Sequence, residues 1–227
     1  MKALLFMLAM LCTGNAAASS AFEQRCEGAM GNTVTVLTQQ NGYSIDNSKS
    51  FRALTALKVG APPEATVLGV THAEGRLSIE HRVVLIKDPF SDNECGAPQI
   101  EVELTYPPVI IYVGSEFVPG TCAYQEILAH EMRHLKAYRE HLPKVERTVR
   151  AALSKRFDNK PLYARAGQVS VSLKREIDDG WMPYMKRELA SVEEQQAVID
   201  SAEEYARLSK VCKGEVQSLI GPANRAR

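Results

Sequence analysis

Two histidines four residues apart, with a glutamate directly after the first, stand at His130-Glu131-Met132-Arg133-His134. The surrounding residues 124–142 read as a helix, and on a helix residues four apart stand one above the other on the same face. Two imidazoles so placed can hold one Zn²⁺ ion at about 2.0–2.1 Å. The glutamate between them then lies beside the metal, where it can take the proton of an attacking water. The spacing therefore predicts metal-assisted hydrolysis, with His130 and His134 as zinc ligands and Glu131 as general base. The competing reading is a charged, exposed helix face whose histidines fall four apart by coincidence, at roughly the 1% level for a chain of this kind. Apolar Ile127, Leu128, Met132 and Leu135 around the motif favour a buried helix instead.

A framework must position that helix. Upstream, residues 31–118 read as β-rich. Residues 33–37 are a short β-branched run, and Ala73-Glu74-Gly75 is a turn signal between two apolar runs. Ile100, Val102, Leu104 and Tyr106 alternate with Glu101, Glu103 and Thr105, the period of a strand with one wet face. Pro107-Pro108 ends it, residues 109–113 begin another apolar run, and Pro62-Pro63 and Asp88-Pro89 mark loops. Downstream the chain is helical in character. Pro143 is expected to kink or end the first helix, with a helical pattern resuming over 144–157. Residues 159–167 read as a loop and 169–189 as a helix with weak points at Gly180 and Pro183. Ser191 and Glu194 form a capping-box pattern before a long helix over about 192–220. The expected fold class is α+β: one domain over 19–227, with an antiparallel β-rich part (19–121) followed by packed helices (122–227).

Lysine plus arginine equals aspartate plus glutamate, 27 each, so no global field recruits nucleic acid or an anionic membrane. Residues 1–18 read as a secretory signal: Lys2, an apolar stretch over 4–12, and small residues at 16–18. That stretch is too short to span a bilayer, and no later run is long enough. The expected location is secreted or periplasmic. Cys26, Cys95, Cys122 and Cys212 then remain, and four cysteines in an exported chain imply two disulfides.

The run Ile127-Leu-Ala-His-Glu-Met-Arg-His-Leu135 resembles the active-site helix of the zincin metallopeptidases. The resemblance covers one helix. Arg133 and Lys136 depart from the broader pattern, in which those positions are uncharged and apolar. It implies that the two histidines bind zinc, that Glu131 is the general base, and that an extended peptide or protein substrate lies along an edge strand, here 100–106 or Val109–Val113. A third protein ligand is needed, leaving a fourth position for water. His141 lies about 10 Å further along the same helix and is out of reach. The positions that would carry a metzincin's glycine and third histidine hold Ala137 and Glu140.

An acid from a second helix is left, as in the glutamate-zincin branch: Asp200, Glu203 or Glu204. Cys122 precedes His130 by eight residues, and Glu204 precedes Cys212 by eight. If Cys122 bonds Cys212 and the two helices run antiparallel, Glu204 stands level with His130 and Asp200 with His134. Glu204 is the preferred ligand and Asp200 the runner-up. Cys26 then pairs with Cys95, and the longer loop could contribute about 4–5 kcal/mol on the chain-entropy model. Tyr205 or Tyr138 could stabilise an oxyanion. His72 and His81 read as surface histidines and Trp181 as a packing residue. The expected function is an exported zinc peptidase. The alternative is a catalytically silent envelope domain that keeps such a helix for binding or structure.

Overall fold

A computed structural model describes residues 20–31, 33–57 and 66–221. The signal reading over 1–18 and the Pro62-Pro63 loop lie outside the described residues. The elements run α1 (Ala21–Gly28), β1 (Val34–Gln40), β2 (Tyr43–Asp46), α2 (Phe51–Leu57), β3 (Gly69–His72), β4 (Arg76–Lys87), β5 (Asn93–Tyr106), β6 (Val109–Val113), α3 (Cys122–Phe157) and β7 (Leu162–Arg165). They continue with α4 (Val169–Glu176), a π-helical turn (Ile177–Trp181), α5 (Met182–Ala190), α6 (Val192–Ile199), α7 (Ala202–Lys210), a 3₁₀ turn (Cys212–Gly214) and α8 (Glu215–Ile220). The α+β class holds: two sheets packed under helices.

The sheets are mixed rather than antiparallel. β5 lies between β1 and β4, with β7 also paired to it, and β6 lies between β2 and β3. The pairs β1–β5 and β2–β6 are parallel. The two sheets break at one level. Pro107 and Pro108 have no N–H to continue the ladder between β5 and β6, so pairing lapses there. On the partner strand Asn41 fills the gap, its Nδ2 donating to the Tyr106 carbonyl at 2.9 Å. Ala73-Glu74-Gly75 makes no hairpin, because β3 pairs with β6 and β4 with β5. Gly75 instead permits close packing: a Cβ there would stand 2.7 Å from Leu189 Cδ2. The β5 alternation is as expected, with Ile100, Val102, Leu104 and Tyr106 buried and Glu101 and Glu103 exposed. Both strands proposed for the substrate edge, 100–106 and Val109–Val113, are nevertheless central. The sequence shows which face of a strand is buried, not how many neighbours it has. Beside α3, the edge strand is β3.

Helix α3 crosses both sheets. Its C-terminal half carries Leu142, Val145, Val149, Leu153 and Phe157 into a core with Ile100, Val102 and Leu104. Its middle packs Leu135 on Val109 and Ile111, and its start packs Ala123 and Ile127 on Phe117 and Val216. Pro143 does not end it. A proline leaves the carbonyl four residues back without its helical donor, and here Gln40 Nε2 donates to the Arg139 carbonyl at 2.6 Å. Beyond α3, four readings change. The expected loop at 159–167 contains β7, and the helix over 169–189 carries a π-helical turn in which Met182 N–H reaches the Ile177 carbonyl. The expected long helix over 192–220 is three helices, broken at Asp200-Ser201 and again where Cys212, Lys213 and Gly214 adopt positive φ. Ser191 holds the N-cap position before Val192, as expected, but makes no side-chain cap bond. It is itself helical, and its hydroxyl bonds the Glu188 carbonyl at 2.8 Å and lies 3.0 Å from His141 Nε2. Trp181 packs between Phe157 and Tyr184, as expected.

Both disulfides form as expected, Cys26–Cys95 and Cys122–Cys212. Among the described residues no helix is long and apolar enough to cross a membrane. Two disulfides suit a protein that matures outside the reducing cytoplasm.

Pro143→Ala should stabilise the protein. Proline costs about 3 kcal/mol against alanine inside a helix. Losing the Gln40 bond and loosening the unfolded chain should return about 1–2 kcal/mol of that. Denaturant unfolding checks the sign. A less stable variant would mean that the Gln40 contact and the local backbone are worth more than a regular turn.

Candidate functional site

α3 and the segment from Ser191 to Cys212 lie side by side and antiparallel. Contacts occur in register: Ser191 with His141, Gln196 with His134, Asp200 with both motif histidines, Glu204 with His130, Arg207 with Glu126, and Cys212 with Cys122. The disulfide closes this zipper at the start of α3. Asp158 fixes the other end of α3, its Oδ1 accepting from Thr33 N at 2.8 Å and Val34 N at 3.2 Å.

Three ligand atoms converge in the middle. His130 Nε2 and His134 Nε2 are 3.1 Å apart, and Asp200 Oδ1 is 3.2 Å from each. His130 and His134 are buried, and Asp200 is partly open to the cleft. Asp200 is the last residue before the break into α7, with φ −81° and ψ 39°. Ser201 then caps α7, its side chain accepting from Glu204 N. The break turns the Asp200 carboxylate onto both Nε2 atoms.

Glu204, the acid preferred from the sequence, lies level with His130 but on its other nitrogen. Its Oε1 is 3.3 Å from His130 Nδ1. Arg133 and Arg207 both donate to this carboxylate, Arg207 through Nη2 at 2.9 Å and Nε at 3.0 Å. The Arg207 hydrogen bond, with Arg133 adding to it against the opposing cost of burial, holds the Glu204 carboxyl down to about 2. Arg133 Nη2 also lies 2.9 Å from His130 Nδ1, so one guanidinium nitrogen meets both the carboxylate and the ring. The opposite ring nitrogen, Nε2, faces Asp200. Glu203 is exposed.

His134 is oriented in the same way. Its Nδ1 bonds Gln196 Oε1, and Gln196 Nε2 donates to the His134 carbonyl at 3.4 Å. Gln196 is buried, one turn before Asp200 on α6. Burial lowers the His134 pKa, but the Asp200 and Gln196 contacts outweigh it and hold it above the ordinary value.

Glu131 points the other way, toward the sheet. Thr71 Oγ1 lies 2.9 Å from Glu131 Oε2 and 2.9 Å from its backbone carbonyl. Gly69 leaves the space: a Cβ there would fall 2.8 Å from Glu131 Oε1 and 2.9 Å from the Tyr112 carbonyl. Burial raises the Glu131 pKa, opposed mainly by the two histidines. These residues line a cleft of about 530 Å³, with Tyr138, Tyr205 and His72 also on its wall. The Tyr205 ring centroid is 6.4 Å from that of His130, whereas the Tyr138 ring packs on Tyr106 at 5.3 Å. His72 is exposed and His81 lies elsewhere on β4. His141 faces Ser191, away from the cluster, as expected.

The donor set fits a small divalent metal. A tetrahedral site with arms of about 2.0–2.1 Å has ligand edges of about 3.3–3.4 Å, close to the triangle observed. Two imidazoles and a carboxylate are a donor set shared by zinc and other first-row divalent metals. A second grouping, Cys122, Cys212 and Glu215, offers no thiolate because its cysteines are bonded to each other. Sequence reasoning missed Gly69, Thr71 and Gln196. None belongs to a motif, and each matters only through a neighbour remote in sequence. Neither protein-family models, nor curated proteins, nor solved structures match this chain.

The disulfide should hold α7 against α3. In a Cys122→Ser/Cys212→Ser double variant, amide hydrogen exchange should rise over residues 202–220 and stay unchanged over 145–157, which are held by the main core. Unchanged exchange in α7 would show that the Arg207–Glu126 and Glu204 contacts fix the zipper without the covalent tie.

Proposed function

We propose that this chain is an exported zinc-dependent peptidase, zincin-like at its active-site helix. The observation that carries the reading is the triangle of His130 Nε2, His134 Nε2 and Asp200 Oδ1, with edges of 3.1–3.2 Å, beside a buried Glu131. Three lone-pair atoms pressed together with little water repel one another unless a cation or shared protons lie between them. His130, His134 and Asp200 would hold the metal. Glu204 and Gln196 would fix the two imidazoles through Nδ1, the carboxylate–histidine arrangement that raises ligand basicity. A zinc ion so held supplies Lewis-acid polarisation and lowers the pKa of water toward neutrality.

Glu131 accepts the proton of the attacking water and returns it to the leaving amine. Its pKa, raised by burial, suits a group that must both take and release a proton near neutral pH. Thr71 and the space over Gly69 keep its carboxyl in one place. β3 pairs only with β6 among the described residues, so its other edge can take an extended peptide as an added strand. Tyr205, on the cleft wall beside His130, would donate to the oxyanion. Residues 1–18 act as the export signal, and a secreted or periplasmic setting keeps both disulfides closed.

Metal analysis of the mature protein should find about one zinc per chain. Asp200→Ala should lower zinc affinity more than Glu204→Ala, since loss of an outer partner typically costs 10–100-fold. Zinc retained undiminished in a His130→Ala/His134→Ala variant would remove the site. Glu131→Gln should keep zinc and lose about 10²–10⁴-fold in peptide hydrolysis. Gly69→Ala, which pushes the Glu131 carboxyl aside, should also keep zinc and lose about 10²-fold. Equal turnover in Glu131→Gln and the parent protein would rule out the mechanism.

A further inference from the structure

The cleft has two chemically different faces, divided by β3. Gly69 and Thr71 turn toward Glu131. Strand alternation therefore turns Val70 and His72 to the opposite, outer face. There the neighbouring strand presents Tyr112, directly opposite Val70. The Lys49 ammonium lies over the Tyr112 ring, 5.4 Å from its centroid. Lys49 is half-buried and lines the same cleft as the metal-ligating histidines. Among the described residues it has no carboxylate at ion-pair distance. It adds to the field at Asp46, whose carboxyl is engaged by the Ser48 N–H at 2.7 Å. The outer face thus carries an ammonium over an aromatic ring and an exposed imidazole. Beyond Gly69 the inner face carries Leu68 and Ile127, which pack in one cluster, and Leu57 and Leu208 also line the cleft.

We propose that the cleft selects an extended peptide carrying an acidic side chain on this outer face, paired with Lys49, and an aliphatic side chain on the inner face. This rests on the peptidase reading above and deepens it by naming a substrate class. A peptide added along the free edge of β3 places successive side chains on opposite faces of the sheet. The residue level with Thr71 points toward Glu131. The residue level with Val70 points outward, one strand away from Tyr112, where a glutamate is long enough to meet the Lys49 ammonium. The acid is therefore required at alternate positions, and next to the residue at the reacting bond.

The test uses short C-terminally amidated peptides that carry an N-terminal thiol to anchor on zinc. Glutamate, glutamine or lysine is placed in turn at each of three successive positions after the thiol, with leucine elsewhere. Binding to the zinc-loaded protein is measured by calorimetry for the parent and for Lys49→Glu. In the parent, glutamate should bind about three- to fivefold tighter than glutamine, at alternate positions only. In Lys49→Glu the order should reverse, with the lysine peptides the tightest at those same positions. Thiol peptides that bind zinc but show no charge preference, or the same preference in both proteins, would overturn the acidic-substrate inference and leave the metal site standing. Thiol peptides that fail to bind at all would overturn the peptidase reading and this inference with it.

Discussion

Three polar atoms, His130 Nε2, His134 Nε2 and Asp200 Oδ1, are held within 3.1–3.2 Å of one another. Without a cation or shared protons between them that arrangement is costly, because lone pairs on desolvated groups repel. It persists only where the surrounding structure opposes its relaxation. Each imidazole is held by its other nitrogen, one by Gln196 and one by Glu204, so neither ring can rotate its Nε2 away. Glu204 in turn is fixed by Arg133 and Arg207, and Arg207 reaches back to Glu126 on α3 at 2.7 Å. The cluster sits at the centre of two crossing constraints, one along α3 and one across it.

The constraint along α3 explains features that look unrelated. A single helix must run from the disulfide at Cys122 to the Asp158 anchor on β1, across two sheets. An interruption at Pro143 would uncouple the motif from the core that fixes its azimuth. The Arg139 carbonyl that proline leaves without a helical donor is taken up by Gln40 at the end of β1. The strand that anchors the far end of the helix thus also repairs its weak point. The level at which the two sheets part, marked by Pro107 and Pro108, separates the part of α3 that carries the paired histidines from the part that carries most of its buried apolar surface.

What the sequence disclosed follows from the range of each signal. The HExxH spacing, the β5 alternation and the α+β class are local periodicities, and all appear where expected. The antiparallel register and the Cys122–Cys212 pair were inferred from matched offsets of eight residues, which left Cys26 for Cys95, and both disulfides form. The break at Asp200-Ser201 was not inferred, because Ser191 and Glu194 offered an equally good cap pattern ten residues earlier. Ser191 instead spends its hydroxyl on Glu188 and His141, a tertiary contact that no local pattern encodes. The central positions of β5 and β6 were hidden for a similar reason, since strand neighbours are chosen by residues far away in the chain.

The same break decides which acid faces the histidines. On an unbroken helix, Asp200 and Glu204 would stand one turn apart on one face, each level with one histidine. Both would compete for the Nε2 side, and neither would be left for Nδ1. Ending α6 at Asp200 and starting α7 with Ser201 as its cap separates the two roles. The shorter side chain at the corner reaches both Nε2 atoms. The longer one, a turn later, reaches round to Nδ1 and to the two arginines. Arg133, the departure from the zincin pattern noted in the sequence, has its place in this division. Together with Arg207, the larger influence, it keeps Glu204 ionised and on the Nδ1 side, which leaves Asp200 alone opposite the open side of the cleft.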